Sequence, residues 1–129
     1  GQLQTRPAVQ QNVEIENADA ILRRFGGKPE RFKKLLDLFA RDAREKILEI
    51  GFHAEHQNLV GCLAALHTLK GMALSMGAAQ FGQQCATYEE QINSAIAEGC
   101  DVSVEPMVKK LDQLYELSLQ KLGQLQFAS

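Results

Sequence analysis

The chain has 129 residues, 45% apolar and 23% charged, with a formal net charge of -2. That length suits one domain, and the balance argues against a fully disordered chain. The net charge excludes a strongly basic nucleic-acid-binding domain, and no apolar run approaches the ~20 residues that span a bilayer.

Residues 1–13, GQLQTRPAVQQNV, are rich in Gln, carry one Pro and show no apolar period. They are expected to be a linker or disordered leader to a domain over 14–127. From Ile15 the pattern turns helical. Ile15, Ala18, Ile21, Leu22 and Phe25 recur at helix spacing and stop at Gly26-Gly27. Pro29 stands where a first-turn proline belongs, and Phe32, Leu35, Leu36, Phe39, Ala43, Ile47 and Ile50 form the stripe of a longer second helix. Glu55-His56-Gln57-Asn58 breaks that pattern, with Asn58 as a candidate N-cap. A third helix carries Leu59, Cys62, Leu66, Leu69 and Ala73 and stops at Gly77. A fourth carries Phe81, Cys85, Tyr88, Ile92 and Ala95 and ends near Gly99. A fifth, with Pro106 in its first turn, carries Met107, Val108, Leu111, Leu114, Leu117 or Ser118, Leu122 and Leu125. No segment alternates with period two for long enough to be a strand. The expected fold is all-α: an antiparallel four-helix bundle with a short additional N-terminal helix.

Three cysteines, Cys62, Cys85 and Cys100, occur without a C-x-x-C pair. They read as reduced thiols rather than a disulfide framework or a thiolate zinc site, and Cys62 and Cys85 fall on apolar faces. His53 and His56, with Glu55 or Cys62 nearby, suggest a metal site, but they fall at a helix-to-loop boundary and no spaced ligand set completes one. No metal or cofactor is expected in this chain. No P-loop, kinase signature or Gly-rich nucleotide loop is present, so ATP chemistry of its own is not expected either.

The third helix holds the chemistry. With Leu66 at the centre of the buried stripe, His67 lies about 100° away, at its margin. One edge of the imidazole is then wet while the other meets a neighbouring helix. Lys70 and Gly71 are its i+3 and i+4 neighbours and share that surface. A glycine inside a helix costs about 1 kcal/mol relative to alanine. Gly71 caps nothing, because the stripe runs on to Ala73 and Met76. It reads as clearance for a bulky object beside His67, with Lys70 supplying positive charge there. A nucleophilic imidazole, a cation and a bare backbone patch suit a phosphoryl group delivered by a docking protein.

His67-Thr68-Leu69-Lys70-Gly71, followed by Gly77-Ala78, Cys85 and Glu89, resembles the signature of histidine-containing phosphotransfer (HPt) domains, the relay modules of multistep two-component signalling. The resemblance implies that His67 is the phospho-acceptor, modified on Nε2. It implies that Lys70 steadies the phosphoryl oxygens and that Gly71 leaves room for the partner's active site. It places Glu89 as acceptor from Nδ1–H of His67, which frees Nε2. Ala64, Thr68 and Leu74 fall in the docking face. Met72 departs from the family, in which the residue after the glycine is usually small. The implied partners are response-regulator receiver domains, which would bring their own Mg²⁺ and acidic pocket, and the kinase core of the same polypeptide. The expected setting is a cytoplasmic, monomeric module, free of nucleic acid and of membrane contact, within a hybrid sensor histidine kinase. The alternative is an adaptor bundle, a degenerate HPt fold that binds signalling partners and never carries phosphate.

Overall fold

Each helix has at least one end set by local chemistry. The protein, a computed structural model, is described over residues 12–127 and consists of five helices with no strand among the described residues. Helix α1 spans Ala18–Arg24 and is capped by Asn17, whose side chain accepts from the Ala20 N–H. Helix α2 spans Pro29–Glu55, with the proline in its first turn, where its missing N–H leaves nothing unsatisfied. Helix α3 spans Leu59–Ser75, and its cap is Asn58, whose Oδ1 accepts from the Gly61 N–H at 2.9 Å. Helix α4 spans Ala79–Glu98 and ends on Gly99 in the left-handed region, at φ 68°. Helix α5 spans Glu105–Gly123, with Pro106 in its first turn.

The four long helices close a ring in which α2 lies against α3 and α5, and α4 lies against α3 and α5. Short turns join them, so neighbours in sequence run antiparallel. The core is the set of stripes expected from sequence: Phe32, Phe39, Ala43, Ile47 and Ile50 from α2, Cys62, Leu66, Leu69 and Ala73 from α3, Phe81, Cys85 and Ile92 from α4, and Met107, Leu111, Leu114 and Leu122 from α5. Phe25 and Phe127 both meet Phe32 edge-on, and Phe39 meets Phe81 the same way. No helix among the described residues is long and apolar enough to cross a membrane.

Several details differ from the sequence pattern. Ser118, not Leu117, takes the fully buried position on α5, while Leu117 is half-buried. Leu125 lies beyond the end of α5, and Tyr88 is half-buried rather than central. The leader assigned to residues 1–13 falls outside the described residues up to residue 11; Val13, its last residue, is buried. Residues 12–16 form an extended strap across one end of the bundle. Glu14 N–H donates to Gln80 Oε1, the Gln80 N–H donates to Glu14 O, and the Glu16 N–H donates to Gly77 O. Lys121 of α5 closes the strap by donating to Val13 O at 2.7 Å. Gly77 sits in the left-handed region at φ 86°, and a Cβ there would stand 2.6 Å from Ile21 of α1, so this turn accepts only glycine on both counts.

Phe81 is fully buried. Phe81→Ala is expected to lower unfolding free energy by about 3–5 kcal/mol, read by denaturant titration, with the midpoint moving and the slope preserved. Cys62 and Cys85 are buried and Cys100 is exposed. A thiol reagent should therefore modify Cys100 promptly in the native protein, and the other two only on unfolding.

Candidate functional site

Helix α3 turns five residues, Cys62, Ala65, Leu66, Leu69 and Ala73, into the core. Its opposite strip is exposed and carries, in order, Val60, Ala64, His67, Thr68, Gly71 and Leu74. These recur every three to four residues, so they share one line along the helix. His67 stands in the middle, and its side chain is 73% exposed.

The imidazole is held from one side only. Its Nδ1 lies 3.2 Å from Oε2 of Glu89, which reaches across from α4. A carboxylate can only accept, so Nδ1 carries the hydrogen and Nε2 keeps its lone pair. Nε2 makes no hydrogen bond among the described residues and faces solvent. The second oxygen of Glu89, Oε1, lies 2.8 Å from the Lys70 ammonium, an ion pair rather than an aligned hydrogen bond. The Glu89 side chain is only 15% exposed, and Lys70 is 27% exposed. One shielded carboxylate thus joins the histidine and the lysine, one on each oxygen.

The two helices approach closely enough for this because α4 offers no side chain at Gly82. A Cβ there would stand 2.5 Å from the Leu74 side chain. Leu74 lies over this bare patch and is still 45% exposed. Gly71 faces open space, with nothing within 4 Å of a Cβ built on it. The glycine is therefore not required by packing inside this chain. Thr68 turns its hydroxyl back onto Ala64 O at 3.2 Å, which presents its methyl group outward.

The residues singled out in the sequence fall into two groups. His67, Lys70 and Glu89 are in direct contact. Gly71, Ala64, Thr68 and Leu74 flank the ring on the same exposed strip, and their side chains take no part in the His67–Glu89–Lys70 contacts. Met72 points away from the ring and, with Phe25, Leu35, Phe39, Thr68 and Gly71, lines a hollow of about 430 Å³ between α2 and α3. Sequence reasoning missed this hollow, because it is made jointly by α2, α3 and Phe25 at the end of α1. It also passed over Val60, 70% exposed and two turns before His67, which helical spacing from Ala64 would have found.

His53 and His56 are engaged locally: His56 Nδ1 lies 2.9 Å from Phe52 O, and His53 Nδ1 lies 3.3 Å from the Asn58 side-chain nitrogen. No cluster of three or more His, Cys, Asp or Glu able to hold a metal occurs among the described residues. Cys85, one turn before Glu89 on α4, is enclosed. Burial above all, and then the negative charge of Glu89, push its thiol up to about 12, against a smaller opposing pull from Lys70. It is thus protonated at neutral pH and a poor nucleophile.

Among protein families, the Hpt domain model matches residues 34–124, most of the chain. Neither the curated proteins nor the solved structures gave a match.

The raised Cys85 thiol has a pH signature. Its folded value of about 12 lies above the reference value of 9.0. The unfolded chain then loses this proton first, so the associated stability is complete below pH 9.0 and falls as pH rises towards 12. Cys85→Ala is expected to flatten the alkaline decline relative to the parent chain in thermal melts across that window.

Proposed function

Because the chain belongs to the Hpt domain family, a family of histidine phosphotransfer modules that work with receiver domains in phosphorelays, we propose that His67 is its phospho-acceptor. The observation that carries this reading is the exposed Nε2 opposite an Nδ1 held by Glu89. A receiver domain docks on the α3 strip and presents its aspartyl phosphate in line with Nε2. The lone pair forms the N–P bond as the P–O bond to the aspartate breaks, and the carboxylate leaves with that electron pair. No proton need be lost, because Nδ1–H remains on Glu89. The phosphorylated ring carries a positive charge that the Glu89 carboxylate offsets.

Lys70 would then exchange one anion for another. In the resting protein it lies on Glu89 Oε1. An incoming phosphoryl group brings more negative charge to the same place, and the ammonium turns to its oxygens. Gly71 lets the partner's backbone approach, while Ala64, Thr68 and Leu74 supply the apolar rim of a modest, transient interface. Transfer onward to a second receiver aspartate runs the same step in reverse. The receiver brings Mg²⁺ and its acidic pocket, so this chain acts as a phosphotransfer intermediary and needs no ATP site of its own. A module of a hybrid sensor kinase that works with receiver domains on the cytoplasmic side is the setting that suits this reading.

The test is phosphotransfer from a labelled receiver domain. Acid-labile, base-stable label is expected on the parent chain and none on His67→Gln; label that survives in that variant overturns the assignment. An absence of label with every receiver tried would leave the adaptor bundle. Lys70→Ala and Glu89→Ala are expected to slow transfer by roughly tenfold to a hundredfold without unfolding the chain. Gly71→Ala should raise stability by about 1 kcal/mol, whereas Gly71→Gln should fold normally yet impair transfer, since it fills space the partner needs.

A further inference from the structure

The hollow between α2 and α3 takes no part in holding the imidazole, yet it opens directly beside it. Thr68 and Gly71 belong both to the exposed strip of α3 and to the edge of the hollow. Behind them the wall is apolar, built from Met72 and Met76 at the end of α3, Leu35 and Phe39 of α2, and Phe25. Leu38 is 40% exposed and stands three residues after Leu35 and four before Asp42, so it continues the apolar side of α2 at the rim. Polar groups around the opening are already engaged. The Thr68 hydroxyl turns onto Ala64 O, and Asp42, the one charged residue in the lining, lies 3.4 Å from its neighbour Arg41. The hollow thus offers an apolar seat rather than the convergent polar groups that orient a small molecule.

A partner whose backbone lies over Gly71 also covers this opening. If the hollow were covered but left empty, its walls would lose water without gaining atoms in exchange, which weakens the contact. Filled by an apolar side chain, the same walls become a desolvated pocket inside the interface, where anchors carry most of the binding energy.

We infer that the hollow is the anchor subsite of the docking surface and seats one uncharged apolar side chain of the receiver domain that meets His67. This rests on the phosphotransfer reading of His67 and adds the chemistry by which a partner is recognised. Met72 stands where the family usually carries a small residue, and its unbranched thioether side chain lets the wall adjust to the group that enters. The subsite is separate from Nε2, so it governs how tightly a receiver is held and not the rate of the chemical step.

Single-turnover transfer to the full chain, with a labelled phosphorylated receiver in increasing excess, separates these quantities. Met72→Gln and Leu35→Gln should each raise the half-saturating receiver concentration by about tenfold and leave the rate at saturation unchanged. Leu48→Gln, at a 64% exposed position on the α2/α5 side, should change neither. Phosphoramidate, a small donor that needs no docking, should label the parent and all three variants equally. A second measurement needs no substitution: with ¹³C in the methionine methyl groups, unlabelled receiver should shift the Met72 and Met76 signals and leave that of Met107, in the core stripe of α5, unmoved. Half-saturation unaltered in both Gln variants, or Met72 and Met76 signals indifferent to a receiver that transfers to His67, overturns the subsite and leaves His67 as the acceptor. Label from phosphoramidate with no receiver able to transfer also overturns it. Absence of label from phosphoramidate and from every receiver overturns both readings.

Discussion

The site depends on a single carboxylate. Glu89 is nearly shielded from water at the seam between α3 and α4, where an ionised group without partners would be costly. Its two oxygens are met from the other helix, one by the Nδ1–H of His67 and one by the Lys70 ammonium as an ion pair. That arrangement fixes the ring's tautomer and orientation, holds the lysine within reach of the ring, and ties α4 to α3 at the point where chemistry is exposed. Each of the three residues is unremarkable alone on a helix surface. Their contact leaves an exposed imidazole whose second nitrogen is free of hydrogen bonds within the described residues, as the proposed phospho-acceptor requires.

The surroundings show the same separation of tasks. Helix α3 carries one charged side chain, Lys70, and that charge is spent on the seam. The rest of its outward strip is small or apolar: Val60, Ala64, the Thr68 methyl, Gly71 and Leu74. A solvated helix face ordinarily carries many charges, as the exposed face of α2 does with Arg31, Lys34, Asp37 and Arg41. The contrast between the two faces is what supports the proposed docking of a receiver on α3. Gly82 makes the strip possible from beneath by letting Leu74 settle onto α4.

Much of this was legible in the order of residues. Period 3.6 placed the five helices, and Asn58, Pro29 and Gly99 marked their ends because caps and breakers act locally. His67 was recognisable at the margin of its stripe, and Gly71 as a glycine with no structural duty. Glu89 could be placed on a helix margin by arithmetic, but its pairing with His67 came from family resemblance. Nothing within the chain's local pattern says which residues of two helices meet. The Lys70–Glu89 pair went unforeseen for the same reason, since the register between α3 and α4 is set by packing at Gly82 and Leu74. The Leu117/Ser118 ambiguity has a different origin: both lie near the apolar stripe, and only the packing of the finished bundle decides which turns inward. The burial of Val13 was hidden because a strap held by backbone hydrogen bonds leaves no apolar period.

That strap links distant parts of the molecule. Residues 12–16 are gripped by Lys121 at the end of α5 and by Gly77 and Gln80 at the turn that closes α3. Arg24 adds a bidentate clasp on Glu16 and reaches Ser75 O at the last residue of α3. Tension arriving along the chain ahead of residue 12 is therefore delivered to the base of the very rod on which the imidazole is mounted, and the strap serves as its mechanical anchor.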